Sequence, residues 1–473
     1  MAPIAEAMRK YSEDGALAFH TPGHKQGLGA HPLLNELITT EGLKREVSLM
    51  EELDDLHDPQ TCIKEAQKLA AELWHADEAF FMINGTTSAV QAMIMSTLQQ
   101  NDLVLVPRNS HRCVMSGLVL SGARPIYLTP EYDSEFEILL NLSVSTVKNA
   151  IDKYPQAKAL IIVSPNYYGV AADLITIADL LHERGMLLLV DEAHGAHLRF
   201  SDKLPISAIE AGADLAAQST HKLLGAMTQT SMLMLKSKLA DLKRVKQVVS
   251  LLQSTSPNYL LLASLDIARL QMQESGINLI ERAINLSQHL RSEVNKIADL
   301  RTFDSIKNFD LDSTKVTVNV SNLGITGIEA EQILRHKYKI QCELSDLNNL
   351  LFLITFADND QTVNKLISEL NKLNHHSKQK SNFNKSPIIL PNATPELTPR
   401  EAFYSSSISV DLKDSINRIC AEEVTFYPPG IPILQPGELI TREVIGYIEA
   451  NKNAGRRLIG ANDNSLNHIK IIK

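Results

Sequence analysis

From residue 61 onward, the chain alternates short apolar runs with segments whose apolar residues have helical spacing. Helical spacing covers residues 63–74 and 88–98. Mostly apolar, strand-like runs lie at 79–83, 103–106, 124–128, 159–163 and 186–190. Because these runs are continuously apolar, they indicate a sheet that is covered on both faces. The pattern predicts an α/β fold with a mostly parallel central sheet, in which ligands bind beyond the carboxyl ends of the strands.

Small and hydroxyl-bearing residues follow the first strand-like run. Gly85, Thr86 and Thr87 lie between that run and the next helical segment. Glycine allows the backbone to approach a ligand closely, and the N–H groups of a helix N-terminus attract anions, so this stretch suits a phosphate group. The same residue types also occur in ordinary helix capping, which stays open as the alternative.

A histidine follows the second strand-like run. His111 lies in the polar stretch after the run that ends at Val106, which places an imidazole at the same edge of the predicted sheet. A helix-capping role explains this residue equally well when it is taken alone.

An acidic residue ends the run at 186–190. Asp191 directly follows Val190, and a carboxylate beyond a buried strand is costly unless a cationic group meets it. A pyridinium nitrogen is one such group, because an aspartate beside it keeps a pyridoxal ring protonated and electron-withdrawing. The alternative is a metal site made of Asp191, His194 and His197. We rank it lower, because it leaves the lysine described next without a role.

A lysine in unusual surroundings follows the strand-like stretch at 213–217. Lys222 comes directly after Ser219, Thr220 and His221 and shortly before Gly225. A lysine that must lose its proton and attack a carbonyl group is helped by desolvation and by nearby polar or cationic groups. A solvated loop lysine would explain the stretch 218–225 when that stretch is taken alone. Together with Asp191, however, Lys222 is interpreted as a Schiff-base lysine.

These motifs resemble the fold-type-I enzymes that depend on pyridoxal 5′-phosphate (PLP), whose large domain is aspartate-aminotransferase-like. Fuller matches make the chain similar to the bacterial ornithine/lysine/arginine decarboxylases, in a short form without the N-terminal wing domain. The likeness runs from about residue 4 to residue 438, and Phe426 stands where the family usually has proline. The matching stretches are 20–25, 106–111, 218–225, 253–257 and 427–432.

The resemblance implies a catalytic role for four residues. Lys222 is expected to form the Schiff base with PLP, and Asp191 to pair with the pyridine nitrogen. His111 is expected to stack on the cofactor ring, and His194 to lie close to the ring and the imine. Spacing alone does not distinguish stacking from capping for His111.

The resemblance also implies contacts to the cofactor phosphate and to the substrate. In the family, the segment that contains Thr255 and Ser256 reaches the phosphate of the neighbouring subunit, so a homodimer with shared active sites is expected. Glu422 matches a family position near the substrate and is the candidate for holding its distal cation. Within one subunit, the expected phosphate-binding or flanking residues are Gly85, Thr86, Thr87, Ser219 and His221.

The expected reaction is α-decarboxylation of a basic amino acid to carbon dioxide and a polyamine precursor. Arginine or lysine is the expected substrate, with ornithine as the third candidate, and the residues themselves do not choose among the three. Two alternatives stay open: an aminotransferase of the same fold, and a non-catalytic PLP-binding protein with a regulatory role.

Composition excludes several other classes of protein. The net charge of −9 argues against a nucleic-acid partner, because such proteins usually carry a basic face. Four cysteines with no CxxC pair fit a reducing compartment. Residues 1–10 lack the apolar run of a signal peptide, and no stretch reaches the roughly 18 apolar residues of a membrane helix. A cytoplasmic protein that needs no metal is expected.

The domain organisation is predicted from the same patterns. An N-terminal arm is expected over residues 1–60 and a PLP-binding large domain over 61–300. A long helix pair is expected at 265–297. A smaller α+β region is expected over 301–473, with strands at 315–320 and 350–356 and an exposed linker, poor in apolar residues, near 372–390.

Overall fold

The computed structural model describes residues 1–374, 394–427, 431–453 and 457–473. From residue 375 onward, the predicted linker near 372–390 lies outside the described residues, as does the centre of the 427–432 motif. The helices are α1 Pro3–Glu13, α2 Pro32–Ile38, α3 Thr40–Arg45, α4 Cys62–Leu73, α5 Gly85–Thr97, α6 Arg112–Ser121, α7 Val144–Lys153, α8 Leu174–His182, α9 Thr220–Leu223, α10 Leu242–Leu252, α11 Tyr259–Val294, α12 Gly327–Lys337, α13 Asp360–Asn374, α14 Pro399–Tyr404 and α15 Arg442–Asn453. The strands are β1 Glu78–Met82, β2 Leu103–Pro107, β3 Arg124–Leu128, β4 Tyr132–Asp133, β5 Ile138–Leu139, β6 Ala159–Val163, β7 Val170–Ala171, β8 Leu187–Asp191, β9 Leu215–Gln218, β10 Ser231–Leu235, β11 Arg301–Thr302, β12 Asp310–Leu311, β13 Lys315–Asn319, β14 Leu344–Ser345, β15 Asn349–Leu353, β16 Ser407–Asp411, β17 Val424–Tyr427, β18 Ile431–Leu434, β19 Arg457–Ile459 and β20 His468–Ile472.

The central sheet has seven strands in the order β1-β10-β9-β8-β6-β2-β3. Strand β2 runs parallel to β3 and β6, and β8 runs parallel to β9. Strand β10 is antiparallel to both β1 and β9, so the sheet is mixed. The predicted α/β fold is confirmed, and the continuously apolar strands β6 and β8 are buried along their whole length.

The chain divides into two compact units. The first comprises residues 1–97, 189–202 and 206–278. Within it, α1 is fixed by a buried ion pair of α11, because Asp266 accepts a hydrogen bond from the backbone N–H of Ile4 at 3.0 Å and Arg269 donates to Asp266 at 2.8 Å. Trp74 is fully buried and donates to the carbonyl of Ala196 at 3.1 Å, which anchors the segment that follows β8.

The second unit comprises residues 98–188, 203–205 and 279–473. It contains β6, β2 and β3, together with a four-stranded sheet in the order β11-β13-β15-β14 and a three-stranded sheet in the order β18-β17-β19. One apolar core packs α12 and α13 against the four-stranded sheet, and another packs α15 against the strands near the C-terminus. The predicted boundaries of arm, large domain and C-terminal region stay predictions.

Residues 259–294 form the single helix α11, so the helix pair predicted for 265–297 is wrong. Gly276 lies within this helix. A Cβ atom at that position would lie 2.8 Å from a ring carbon of Phe200 and 2.9 Å from the Met272 methyl group. The glycine is therefore explained by close packing and does not mark a helix break. No helix among the described residues has the length and apolar character needed to cross a bilayer.

Candidate active site

Lys222 lies in the one-turn helix α9, directly beyond the buried strand β9. Its Nζ atom is 2.8 Å from Nε2 of His194, whose side chain is buried. A hydrogen bond at this distance needs one donor and one acceptor, so the two nitrogens cannot both be protonated toward each other. One of the two nitrogens therefore donates a hydrogen to the other, and the imidazole lies next to the candidate Schiff-base nitrogen.

Asp191 is the last residue of β8 and is buried. Because β8 and β9 are parallel and Asp191 is paired in register with Ala217, the carboxylate lies at the sheet edge where β9 leads into α9. Its Oδ1 atom accepts a hydrogen bond from the backbone N–H of Ala193 at 3.1 Å. The structure thus brings the predicted Asp191, His194 and Lys222 to one edge of the sheet in the first unit.

Three buried hydroxyl groups form a cluster beside this edge. Thr86 Oγ1 forms hydrogen bonds with Ser219 Oγ and, at 2.8 Å, with Ser231 Oγ. Ser231 Oγ in turn donates to the backbone carbonyl of Gln218 at 2.7 Å. Of the two threonines predicted for phosphate binding, Thr86 belongs to this cluster, whereas Thr87 is exposed.

Gly85 begins α5 with a φ of 72°, in the left-handed region that favours glycine. Its N–H donates to the carbonyl of Gln229 at 2.8 Å, which fixes the entry into the helix. A 13-residue helix that begins beside the hydroxyl cluster places backbone N–H groups where an anion would be held.

His221 is half-buried and donates a hydrogen bond from Nδ1 to the carbonyl of Thr230 at 2.7 Å. A carbonyl oxygen only accepts, so Nδ1 carries a hydrogen. This contact fixes the orientation of the imidazole ring immediately before Lys222. Its predicted place beside the phosphate stays a prediction.

The other predicted site residues have contacts of their own. His111 belongs to the second unit, where it caps α6 by accepting from the N–H of Cys113 at 3.3 Å, and its stacking role stays a prediction. Thr255 and Ser256 lie in an exposed turn of the first unit. Glu422 is buried, and its two oxygens accept from the backbone N–H groups of Asn462 at 2.6 Å and Lys470 at 2.7 Å.

The structure also adds residues that sequence reasoning does not find. Ser231 starts the antiparallel strand β10, whereas the predicted site residues of the central sheet are sought after the ends of parallel strands. An antiparallel strand begins at the edge where its neighbour ends, so a search over strand starts would include Ser231. Glu192 and Gln218 are buried, and their side chains are hydrogen-bonded to each other. They are the chain neighbours of the predicted site residues Asp191 and Ser219.

Solved structures with the same fold define the class of this protein. The lysine decarboxylase of Francisella novicida superposes with a TM-score of 0.88 at 23% identity, covering 100% of this chain and 81% of that one. An alanine–glyoxylate aminotransferase from Nostoc sp. superposes with a TM-score of 0.56 at 19% identity, covering 73% of this chain and 92% of that one. The fold is that of the fold-type-I PLP enzymes, as predicted.

Sequence comparison then assigns the family. Residues 2–318 match the major domain of Orn/Lys/Arg decarboxylases, and residues 377–464 match their C-terminal domain. An arginine decarboxylase from Bacillus anthracis is 42% identical over 100% of this chain and 97% of the relative, and one from Bacillus subtilis is 40% identical over 100% and 98%. The chain belongs to the Orn/Lys/Arg decarboxylase family and is a carboxy-lyase.

The family implies PLP, and the residues of the first unit fit each part of that molecule. The N-terminus of α5 and the hydroxyls of Thr86 and Ser219 fit a phosphate, because they supply neutral hydrogen-bond donors. Asp191 fits a protonated pyridine nitrogen, and Lys222 fits an aldehyde. These groups lie at the ends or starts of strands at one edge of the sheet, so a single small molecule would contact all of them.

Proposed function

We propose that this chain is a PLP-dependent decarboxylase that converts arginine to agmatine and carbon dioxide, with lysine and ornithine as weaker substrates. The choice of arginine is supported by relatives of 40–42% identity named arginine decarboxylase, which match this chain over its full length. Lysine decarboxylases are also similar to it, but at 25–29% identity.

The observation that carries the proposal is the arrangement of Lys222, His194 and Asp191. A lysine nitrogen 2.8 Å from a buried imidazole can lose its proton to a neighbour that is already in place. The strand-end carboxylate of Asp191 is buried, where a cationic group such as a protonated ring nitrogen would stabilise its charge. Both requirements are met by a cofactor that offers an aldehyde and a protonated pyridine ring.

Each residue of the site has a defined task in this proposal. When bound, PLP supplies an electron sink for the electron pair left on the α-carbon as carbon dioxide departs. Asp191 would hold the proton on the ring nitrogen, and Lys222 would hold the cofactor through its aldehyde group. His194, whose Nε2 lies 2.8 Å from the lysine nitrogen, would return a proton to the α-carbon.

The substrate end of the site rests on the family resemblance. His111 is proposed to stack on the cofactor ring, and Glu422 to hold the distal guanidinium. In the structure, Glu422 is engaged by two backbone N–H groups, so a substrate cation would share an already hydrogen-bonded carboxylate. A raised KM for arginine at unchanged kcat in a Glu422→Gln variant would support the contact, and an unchanged KM would remove it.

The decisive experiment is carbon dioxide release from arginine, lysine and ornithine labelled at the 1-carboxyl carbon. We expect release from arginine at the highest kcat/KM, and none from a Lys222→Ala control. Formation of a keto acid without labelled carbon dioxide would mark an aminotransferase. PLP binding with neither product would mark a regulatory protein.

We further propose a homodimer in which each subunit contributes Thr255 and Ser256 to the site of its partner. The three residues 254–256 are all exposed and carry hydroxyl groups, so they are available to a second subunit. The N-terminal arm supports association, because Leu17, Phe19 and Leu28 are 83–91% exposed and would be covered by a second copy. Light scattering of the purified protein measures the subunit count directly.

A cytoplasmic role in polyamine synthesis completes the proposal. No disulfide joins the four cysteines in the described part of the chain, which suits a reducing compartment. Agmatine, cadaverine and putrescine, the products of the three candidate substrates, are all polyamine precursors. Cell fractionation and polyamine measurement in a deletion strain test location and role separately.

A further inference from the structure

The outer edge of β1 is closed by two glutamine side chains. Strand β1 stands at the end of the central sheet in the described part of the chain. Gln67 accepts from the N–H of Phe81 at 2.9 Å, while Gln253 donates to the carbonyl of Phe81 at 3.1 Å and accepts from the N–H of Ile83 at 3.2 Å. A side-chain amide has one donor group and one acceptor, as a peptide group has. Gln253 therefore takes the place of one peptide of a missing neighbouring strand.

Gln253 is also the last fixed residue before an exposed turn. Its side chain is 8% exposed, whereas Ser254, Thr255 and Ser256, which follow it directly, are exposed. A second contact holds the same turn, because Nε2 of His57 donates to the carbonyl of Ser254 at 2.9 Å. Nδ1 of the same ring lies 2.8 Å from Ser250 Oγ on α10. The turn is thus held at its start by two side chains.

The strand that Gln253 holds has a second function in the same subunit. Beyond its end, β1 continues through Ile83 into Gly85 and Thr86, which begin α5 and fit the cofactor phosphate. One strand therefore carries the phosphate-binding loop of its own subunit and, through Gln253, anchors the hydroxyl turn. Any movement of the turn relative to this loop has to break two hydrogen bonds to buried backbone groups.

We propose that Gln253 is a positioning residue that holds the turn 254–256 for the active site of the partner subunit. This inference rests on the proposed dimer with shared sites. It adds that the turn works in the partner only while Gln253 anchors it to β1, so β1 links the phosphate site of one subunit to the site of the other. His57 supports the same turn through its contact with the carbonyl of Ser254.

The test compares Gln253→Met with Gln67→Met. Methionine has nearly the size of glutamine and makes no such hydrogen bonds, and Gln67 closes the same strand edge without leading into the turn. The affinity of each apoenzyme for PLP is measured by absorbance titration. We expect this affinity to fall about tenfold or more in Gln253→Met and to change little in Gln67→Met. Equal affinities in the two variants would overturn the inference.

Subunit mixing then decides in which active site Gln253 acts. A heterodimer of Gln253→Met and Lys222→Ala subunits contains one site with an intact Lys222 and an intact turn from the other subunit. Random exchange of equal amounts makes about half of the dimers heterodimers, and each heterodimer has one restored site in two. Mixing should therefore raise decarboxylation toward about a quarter of the wild-type value. Absence of recovery, with subunit exchange demonstrated, would show that Gln253 acts in its own subunit and would overturn the inference.

Two further variants keep the outcomes distinct. His57→Leu removes the second contact of the turn at a half-buried position. It should give a smaller defect in PLP binding, and the same mixing should restore activity. This variant also serves if Gln253→Met does not fold, and the absence of any defect in it would then count against the inference. A Thr255→Ala/Ser256→Ala variant tests the shared site itself. If this variant is inactive and mixing does not restore it, the proposed shared dimer fails, irrespective of Gln253.

Discussion

Oε2 of Glu192 accepts a hydrogen bond from Nε2 of Gln218 at 2.6 Å in the interior of the protein. Oε1 of the same carboxyl group accepts from the N–H of Ala208 at 2.7 Å, and neither side chain is more than 1% exposed. Glu192 directly follows Asp191, and Gln218 directly precedes Ser219. The bond therefore joins the two strand ends that carry the candidate catalytic groups.

Glu192→Gln should flatten the pH dependence of stability. Burial raises the pKa of Glu192 from 4.5 to about 8, against the opposing effect of its two hydrogen-bond donors. Between these values the folded protein keeps a proton that the unfolded chain releases, so this carboxyl lowers the free energy of unfolding as the pH rises from about 4.5 to 8. Urea unfolding at pH 5, 6.5 and 8 measures the effect, and equal slopes for wild type and variant would contradict it.

Borohydride reduction should fix the cofactor onto Lys222. We expect the purified protein to be yellow, because the predicted Schiff base absorbs visible light, and His194 lies 2.8 Å from the lysine nitrogen that forms it. Peptide mapping after reduction identifies the labelled lysine. A label on any other lysine would remove the assignment, and Lys222→Ala serves as the unlabelled control.

Asp191→Asn should lower turnover by about a hundredfold or more while PLP is retained. The neutral amide cannot hold the ring nitrogen protonated, whereas the phosphate contacts proposed for Thr86 and Ser219 do not involve residue 191. Labelled carbon dioxide release and PLP content are measured on the same preparation. Near-normal release by this variant would show that Asp191 is not the partner of the ring nitrogen.

Arg269→Met should destabilise the protein by about 3–5 kcal/mol, because it leaves the fully buried Asp266 without its cation. Asp266 also accepts from the N–H of Ile4, so α1 should loosen first. Denaturant unfolding gives the free energy, and limited proteolysis near the N-terminus reports on α1. An Asp266→Leu/Arg269→Met double variant should be more stable than Arg269→Met alone; the reverse order would show that the unpaired charge is not the cause.

Sequence patterns predict the fold class, which is confirmed, and the main site residues, whose roles stay predictions. Asp191, Lys222 and Gly85 each follow a short apolar strand, and both the strand and the polar residues after it are local signals. Local patterns also place α4, α5 and β6 within a few residues of their observed bounds. They fail for α11, which is one continuous helix in which Gly276 packs closely against Phe200, a residue far away in the sequence.

Which of these groups are in contact is seen in the folded structure alone. Lys222 contacts His194 across 28 residues, Thr86 contacts Ser231 across 145, and Ile83 contacts Gln253 across 170. Such pairs depend on how strands are ordered in the sheet, and in particular on the antiparallel β10, which brings Ser231 to the edge where β9 ends. The burial that raises the pKa of Glu192 is likewise set by all segments packed around it. Hydrogen-bond partners and burial are properties of the packed chain, so no local stretch of sequence contains them.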